Sequence, residues 1–260
     1  MKWTFLLYTL FLGFLSISYG IKSATAENCI QRIQKLREHG ITDTLVNYSQ
    51  YCVKAHPKND EILHYRALIL MESGKPDRAT APLRHAISLR PEVPDNYLIL
   101  LRAYLESEDV LKRWGRVTKV LKERFKKSPE VLLNAGNLLI HYSKLRSALD
   151  YFNDLLQQGL IKKWVYHLKL GQMYLLLRRY EDARKELEAS IVANPGSALT
   201  LYYLGRVWKE QGNQAYMLSY FKHAMEKGLD GEPKQYVEKV LGGLLNREDQ
   251  QSGAASEKTK

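Results

Sequence analysis

Residues 164–197 read WVYHLKLGQMYLLLRRYEDARKELEASIVANPGS, and this stretch decides the fold. Leu170-Gly171 is followed by Tyr174, then by Tyr180, Ala183 and Leu187, and Pro195 closes the segment. Glycine and alanine sit where two helices must touch, and the larger apolar residues recur at helical spacing. A second pair, Leu204-Gly205, lies 34 residues after the first and is followed by Trp208 where the first has Tyr174. Ala135-Gly136 stands 35 residues upstream of Leu170-Gly171; Ala79, Ala148 and Ala183 step by 69 and then 35; Pro57 and Pro91 are 34 apart. A fixed period of this size marks a repeat architecture, in which a two-helix unit cannot bury its apolar stripe alone and stacks on the next.

Carried outward, the period divides the chain into Ala26–Asp60, Asp60–Val93, Pro94–Ser128, Pro129–Lys163, Trp164–Ser197 and Ala198–Asp230. The Leu-Gly pair, the aromatic, the small Ala and the closing Pro resemble the tetratricopeptide repeat family, whose unit is a helical hairpin. The resemblance implies an all-α, right-handed superhelical solenoid of about six hairpins, with a C-terminal capping helix over roughly Lys234–Leu245. Leu63, Ala67 and Leu70 on one helix, and Ala79, Leu83 and Ala86 on the next, are core positions. Gly40, Gly74 and Gly212 fall at the turns inside their hairpins, where a left-handed backbone costs glycine little. The Pro94 unit lacks that glycine, and its second helix is predicted to be long, from about Val110 to Lys127. Met217 replaces the small residue expected in the last unit.

The ends of the chain are different in kind. Lys2 precedes a run from Trp3 to Ile17 with no charge, and Ala24-Thr25-Ala26 offers the small residues of a cleavage site. Residues 1–26 are therefore expected to be a signal peptide or, uncleaved, a signal anchor, since the run approaches a bilayer-spanning length. Residues 27–245 form the repeat array, and the apolar-poor segment 246–260 is expected to be disordered. The implied location is extracytoplasmic, periplasmic if bacterial, either soluble after cleavage or anchored at the inner membrane. The two cysteines, Cys29 and Cys52, sit at facing ends of antiparallel helices in the first hairpin and fit one structural disulfide, with two buried free thiols as the alternative.

The net charge of +11 falls to +9 if Lys2 and Lys22 leave with the leader. Outside the cytoplasm a basic chain meets anionic surfaces and acidic proteins, so nucleic acid is not an expected partner. No Gly-rich phosphate loop, Gly-x-Ser-x-Gly elbow or His-Glu-x-x-His helix occurs, and the seven histidines show no metal-ligand spacing. The chain is expected to be a scaffold rather than an enzyme, with no metal or cofactor.

What the resemblance implies is a concave partner-binding groove lined by the first helix of each unit. Mapped onto this sequence, that face is His64, Leu68 and Met71, then Leu98, Arg102 and Leu105, then Leu133, Asn137 and Ile140. It continues through Leu168, Gln172 and Leu175 to Tyr202, Arg206 and Lys209. Its middle is apolar and its last unit basic, which suits an extended peptide or amphipathic helix as partner. Family members that clamp a C-terminal carboxylate use Lys and Asn there; Asn137 matches, but Leu133 stands in the lysine's place. A second candidate surface is the basic helix carrying Lys112, Arg113, Arg116, Lys119, Lys122 and Lys126, whose Trp114, Val117, Leu121 and Phe125 point the other way. It could meet an anionic membrane surface or glycan, or be simply a solvated face.

Overall fold

The computed structural model describes residues 25–107 and 113–243. The leader, the start of the helix predicted from Val110, Lys112 and the C-terminal tail lie outside the described residues. Those described contain thirteen α-helices and no strand. They pair as α1 (Ala26–Glu38) with α2 (Asp43–Ala55), α3 (Asp60–Glu72) with α4 (Pro76–Leu89), and α5 (Pro94–Glu106) with α6 (Trp114–Arg124). Then come α7 (Pro129–His141) and α8 (Leu145–Gln157), α9 (Lys163–Leu176) and α10 (Tyr180–Ala193), and α11 (Ala198–Glu210) and α12 (Gln214–Glu226). Residues 231–243 form α13. Six hairpins thus fall within the six units that the period predicts.

The helix starts were written in the sequence. Thr25, Thr42, Asn59, Ser197 and Asn213 each accept a hydrogen bond from the backbone N–H three residues on, and Pro76 and Pro94 open α4 and α5. A side-chain oxygen satisfies one of the N–H groups that a helix start leaves unpaired, and proline has no N–H to leave.

The described residues fall into two compact units, unit 1 up to Leu138 and unit 2 from Leu139. In unit 1, Cys29, Ile33, Leu45 and Cys52 are fully buried together with Ile62 and Ile69 of α3. Cys29 and Cys52 form a disulfide between α1 and α2, with their Cα atoms 5.9 Å apart. In unit 2, Leu168, Leu175, Ala183, Leu187, Leu204 and Val207 make one core cluster of α9, α10 and α11. A second gathers Leu201, Tyr202, Met217, Phe221 and Ala224 under Val237 of α13. Met217 is accommodated within this cluster at 4% exposure. A Cβ added at Gly171 would lie 2.5 Å from Leu187 Cγ, and one at Gly205 would collide with the Phe221 ring. The two Leu-Gly pairs are therefore the points of closest approach between the helices of a hairpin.

Two elements differ from the sequence expectation. The second helix of the third hairpin ends at Arg124 rather than Lys127. Phe125 still donates its N–H to Leu121 O but has left helical geometry, and Ser128 donates to Phe125 O in a turn. Pro129 follows, and its ring disfavours helical backbone at Ser128. The capping helix begins at residue 231, not 234, because Pro233 is tolerated in a first turn. The hairpin turns also hold a finding that glycine spacing could not reveal. Gly40, Gly74 and Gly212 have φ of 91°, 68° and 75° as expected, but Ser143 and Arg178 occupy the equivalent places with φ of 56° and 57°.

Candidate functional site

Within unit 1, α1 touches α3 and α3 touches α5, so successive first helices share a face. Polar side chains join them. Gln34 Nε2 donates to Tyr65 Oη at 2.5 Å, Arg37 pairs with Glu72, and His64 Nδ1 lies 2.8 Å from Oδ1 of the buried Asn96. His64 is thus engaged in the junction of two hairpins. Leu68, Leu98 and Leu133 are half-buried, Arg102 and Asn137 are exposed, and Met71 and Leu105 are buried. Arg102 is held by Glu106 one turn on, Nε to Oε1 at 2.7 Å.

In unit 2, Ile140, Leu168, Gln172, Leu175 and Tyr202 are buried, Arg206 is half-buried and Lys209 exposed. The last residue of each predicted triplet before Lys209, namely Met71, Leu105, Ile140 and Leu175, is at most 8% exposed. That side of the first helix turns into the packing, and the accessible face is narrower than a three-residue pattern suggests. Gln172 accepts a hydrogen bond from Lys169 Nζ at 3.3 Å. Lys169 is itself 7% exposed, and burial lowers its pKa to about 8.

The basic end of this face is the most elaborated part of it. Arg206 Cζ stands 6.0 Å from the centroid of Tyr202 and 5.4 Å from that of Tyr236. Lys209 Nζ lies 5.0 Å from the Tyr236 centroid and donates to its hydroxyl at 2.7 Å. Tyr202 packs edge-on to Tyr236, with centroids 5.8 Å apart, and burial raises its hydroxyl pKa while Arg206 pulls the other way. Lys209, Tyr236 and Lys239 also border a cavity of about 530 Å³ between α11, α12 and α13. Arg206 Nε is buried without a hydrogen-bond acceptor, and Arg206, Lys209 and Lys239 have no carboxylate partner among the described residues. Cations over aromatic faces are held in place without being neutralised. Tyr236 and Lys239 were not among the residues mapped to the groove. Their signal is the helical spacing of Tyr236, Lys239 and Val240 after Pro233, which reads as a cap and conceals that one side of the cap extends the face.

The basic helix α6 is amphipathic as its spacing predicts. Val117, Leu121 and Phe125 are buried; Arg116, Lys119 and Lys126 are exposed, and Arg113 and Lys122 half-buried. Arg113 lies over the Tyr104 ring at 4.8 Å, and Lys119 Nζ is 3.9 Å from Glu123 Oε1. Among the described residues, no group of three His, Cys, Asp or Glu side chains is placed to hold a metal ion, and no helix is long and apolar enough to cross a membrane.

With this geometry in view, the crystal structure of yeast Tom70 is similar to the chain with a TM-score of 0.56 at 14% identity, covering 86% of this chain and 47% of that one. The chain thus spans about half of that protein's length. A tetratricopeptide repeat protein from Parabacteroides merdae gives a TM-score of 0.52 at 17% identity, covering 84% of this chain and 83% of that one. No family model matches the sequence, and no curated protein matches it. Identities this low speak for the fold alone, and the fold is the all-α tetratricopeptide type.

Proposed function

We propose that this chain is a non-catalytic adaptor, exported or membrane-anchored, that holds a protein partner on its first-helix faces and serves the assembly of an envelope complex. The extracytoplasmic setting is supported by the charge-free run from Trp3 to Ile17 and by the Cys29–Cys52 bridge. The observation that carries the binding role is the cluster of Arg206, Lys209 and Lys239 around Tyr202 and Tyr236, in which the half-buried Arg206 has an Nε without an acceptor and the three cations have no carboxylate partner among the described residues. A carboxylate from a partner, reaching Arg206 or Lys209 while an apolar side chain enters the cavity beside Met217, would satisfy both features. A charge-assisted hydrogen bond of that kind contributes about 1.5–3 kcal/mol.

The alternative of an anionic membrane docked on α6 is less well supported, because Val117, Leu121 and Phe125, the stripe that would insert, are packed in unit 1. The adaptor reading is tested by screening synthetic peptides that combine Asp or Glu with Leu or Phe anchors against the purified protein. Binding should weaken at least about tenfold in a Lys209→Glu, Lys239→Glu variant. It should persist in Lys119→Glu. Peptides that bind the two variants equally would remove the assignment.

A further inference from the structure

The cavity between α11, α12 and α13 is bordered by the end of the described chain. Lys209, Met217, Tyr236, Lys239, Val240 and Gly243 line it, and among the described residues no carboxylate does. Gly243 is the last described residue, so residue 244 begins in the cavity wall. A Cβ added at Gly242 or Gly243 would meet no atom within 4 Å, so no neighbour asks for glycine at either place. At a helix end, glycine is the residue that most readily lets the backbone turn back on itself.

The sequence continues Leu244-Leu245-Asn246-Arg247-Glu248-Asp249. Side chains of an extended segment alternate between two faces, so Leu244 and Glu248 share one face, and Leu245, Arg247 and Asp249 the other. Leu244 and Glu248 then stand about 13 Å apart, at about 3.3 Å a residue. The cavity wall offers an apolar place and a basic place in the same order. One turn back along α13 from Gly243 is Val240, and one turn further is Tyr236, about 11 Å from the helix end, whose hydroxyl accepts from Lys209 Nζ at 2.7 Å. A carboxylate arriving there would supply the counter-ion that Lys209 and Lys239 lack among the described residues.

We propose that the segment from Leu244 to Glu248 folds back along α13 into this cavity, with Leu244 against Val240 and Met217 and Glu248 on Lys209 or Lys239, so that the chain's own tail holds the site until a partner displaces it. The tail has one advantage over every other occupant: its tether starts in the cavity wall. A short flexible tether gives an effective concentration in the millimolar range, which a free partner must outcompete. The displacement rests on the adaptor reading. The docking does not: it rests on the cavity, the register of Leu244 and Glu248, and the position of Gly243.

The test is zero-length carbodiimide cross-linking of the full chain, which joins a carboxylate to a lysine amine in contact with it, read by mass spectrometry on a mixture of isotope-labelled and unlabelled protein. Lys119 and Glu123, with Nζ 3.9 Å from Oε1, serve as the internal control. Glu248 should link to Lys209 or Lys239 within one copy, and about fivefold or more above Asp249, which the alternation places on the other face. Leu244→Ala should lower that link about fivefold or more by removing the apolar anchor. The synthetic acidic peptides that test the adaptor reading should bind Glu248→Gln about tenfold or more tighter than the parent, the factor for a site nine-tenths occupied by its own tail. A control link with none from Glu248, or equal linking of Glu248 and Asp249, would overturn the docking. Links between labelled and unlabelled copies would overturn it in favour of the tail of a second copy. Unchanged peptide affinity in Glu248→Gln, with the link formed in the parent, would overturn the displacement. No peptide binding to either form, with the link intact, would remove the adaptor reading, and displacement with it, while supporting the docking.

Discussion

In α6 of unit 1, Arg116, Lys119, Lys122 and Arg124 stand against one acid, Glu123; in α10 of unit 2, Arg184 and Lys185 stand against Glu181, Asp182, Glu186 and Glu188. The difference extends to the partners. Arg184 bonds Glu181 at 2.7 Å and Glu188 at 3.2 Å, and Glu181 also accepts from Gln211 at 2.9 Å. Glu186 takes His167, at 2.6 Å. In unit 2 the acids of α10 are thus taken up by Arg184, His167 and Gln211, whereas unit 1 ties its first helices together and leaves Arg78, Arg84 and Arg116 outward. The hairpin core dictates neither arrangement. The same buried alanines, Ala79 and Ala183, underlie both surfaces, so charge is free to follow whatever each side has to meet.

The comparison can be broken at several points. The largest effect is expected from the disulfide, which belongs to unit 1 alone: reduction, or Cys29→Ser, should cost about 3–4 kcal/mol in the chain-entropy account. Hydrogen exchange should show the lost protection in α1–α3, and an equal loss in α9–α12 would erase the distinction between the units. In unit 2, Gly205→Ala should destabilise by up to about 3 kcal/mol, because the added methyl meets the Phe221 ring; denaturant melts measure it directly.

Lys169→Met should stabilise unit 2 by about 2 kcal/mol near neutral pH by removing a buried charge. The sign with pH follows from the depressed pKa. Between pH 8 and 10.5 the unfolded chain holds a proton that the folded chain has released, so the native state gains stability as pH rises through that window. The advantage of the variant over the parent should therefore shrink there, and a constant gap in melting temperature would show that Lys169 is not desolvated. Smallest is the turn effect: Ser143→Gly and Arg178→Gly should each add about 0.5–1 kcal/mol by relieving a left-handed backbone, read from the same melts.

Much of this fold was legible because it rests on spacing. The Leu-Gly pairs, the small alanines and the turn glycines Gly40, Gly74 and Gly212 act locally, and each was visible as a residue type at a position. The unread parts depend on three-dimensional neighbours. Ser143 and Arg178 adopt positive φ because the hairpin requires it at their place in the repeat, not because their chemistry favours it. Met71, Leu105, Ile140 and Leu175 lie on the mapped face by period, but neighbouring side chains bury them. Tyr236 joins Arg206 and Lys209 across a chain separation that no local pattern encodes.

Helix α13 closes the apolar end of α11 and α12 with Val237, and it also supplies Tyr236 and Lys239 to the face beside it. A helix that covers a hydrocarbon edge has its own opening equilibrium, and here that equilibrium shares two side chains with the proposed recognition surface. A partner bound there as proposed would hold that helix closed. Occupancy is thereby recorded as slower amide exchange along residues 231–243, a signal that can be followed without a label, without catalytic turnover and before the occupant has been identified.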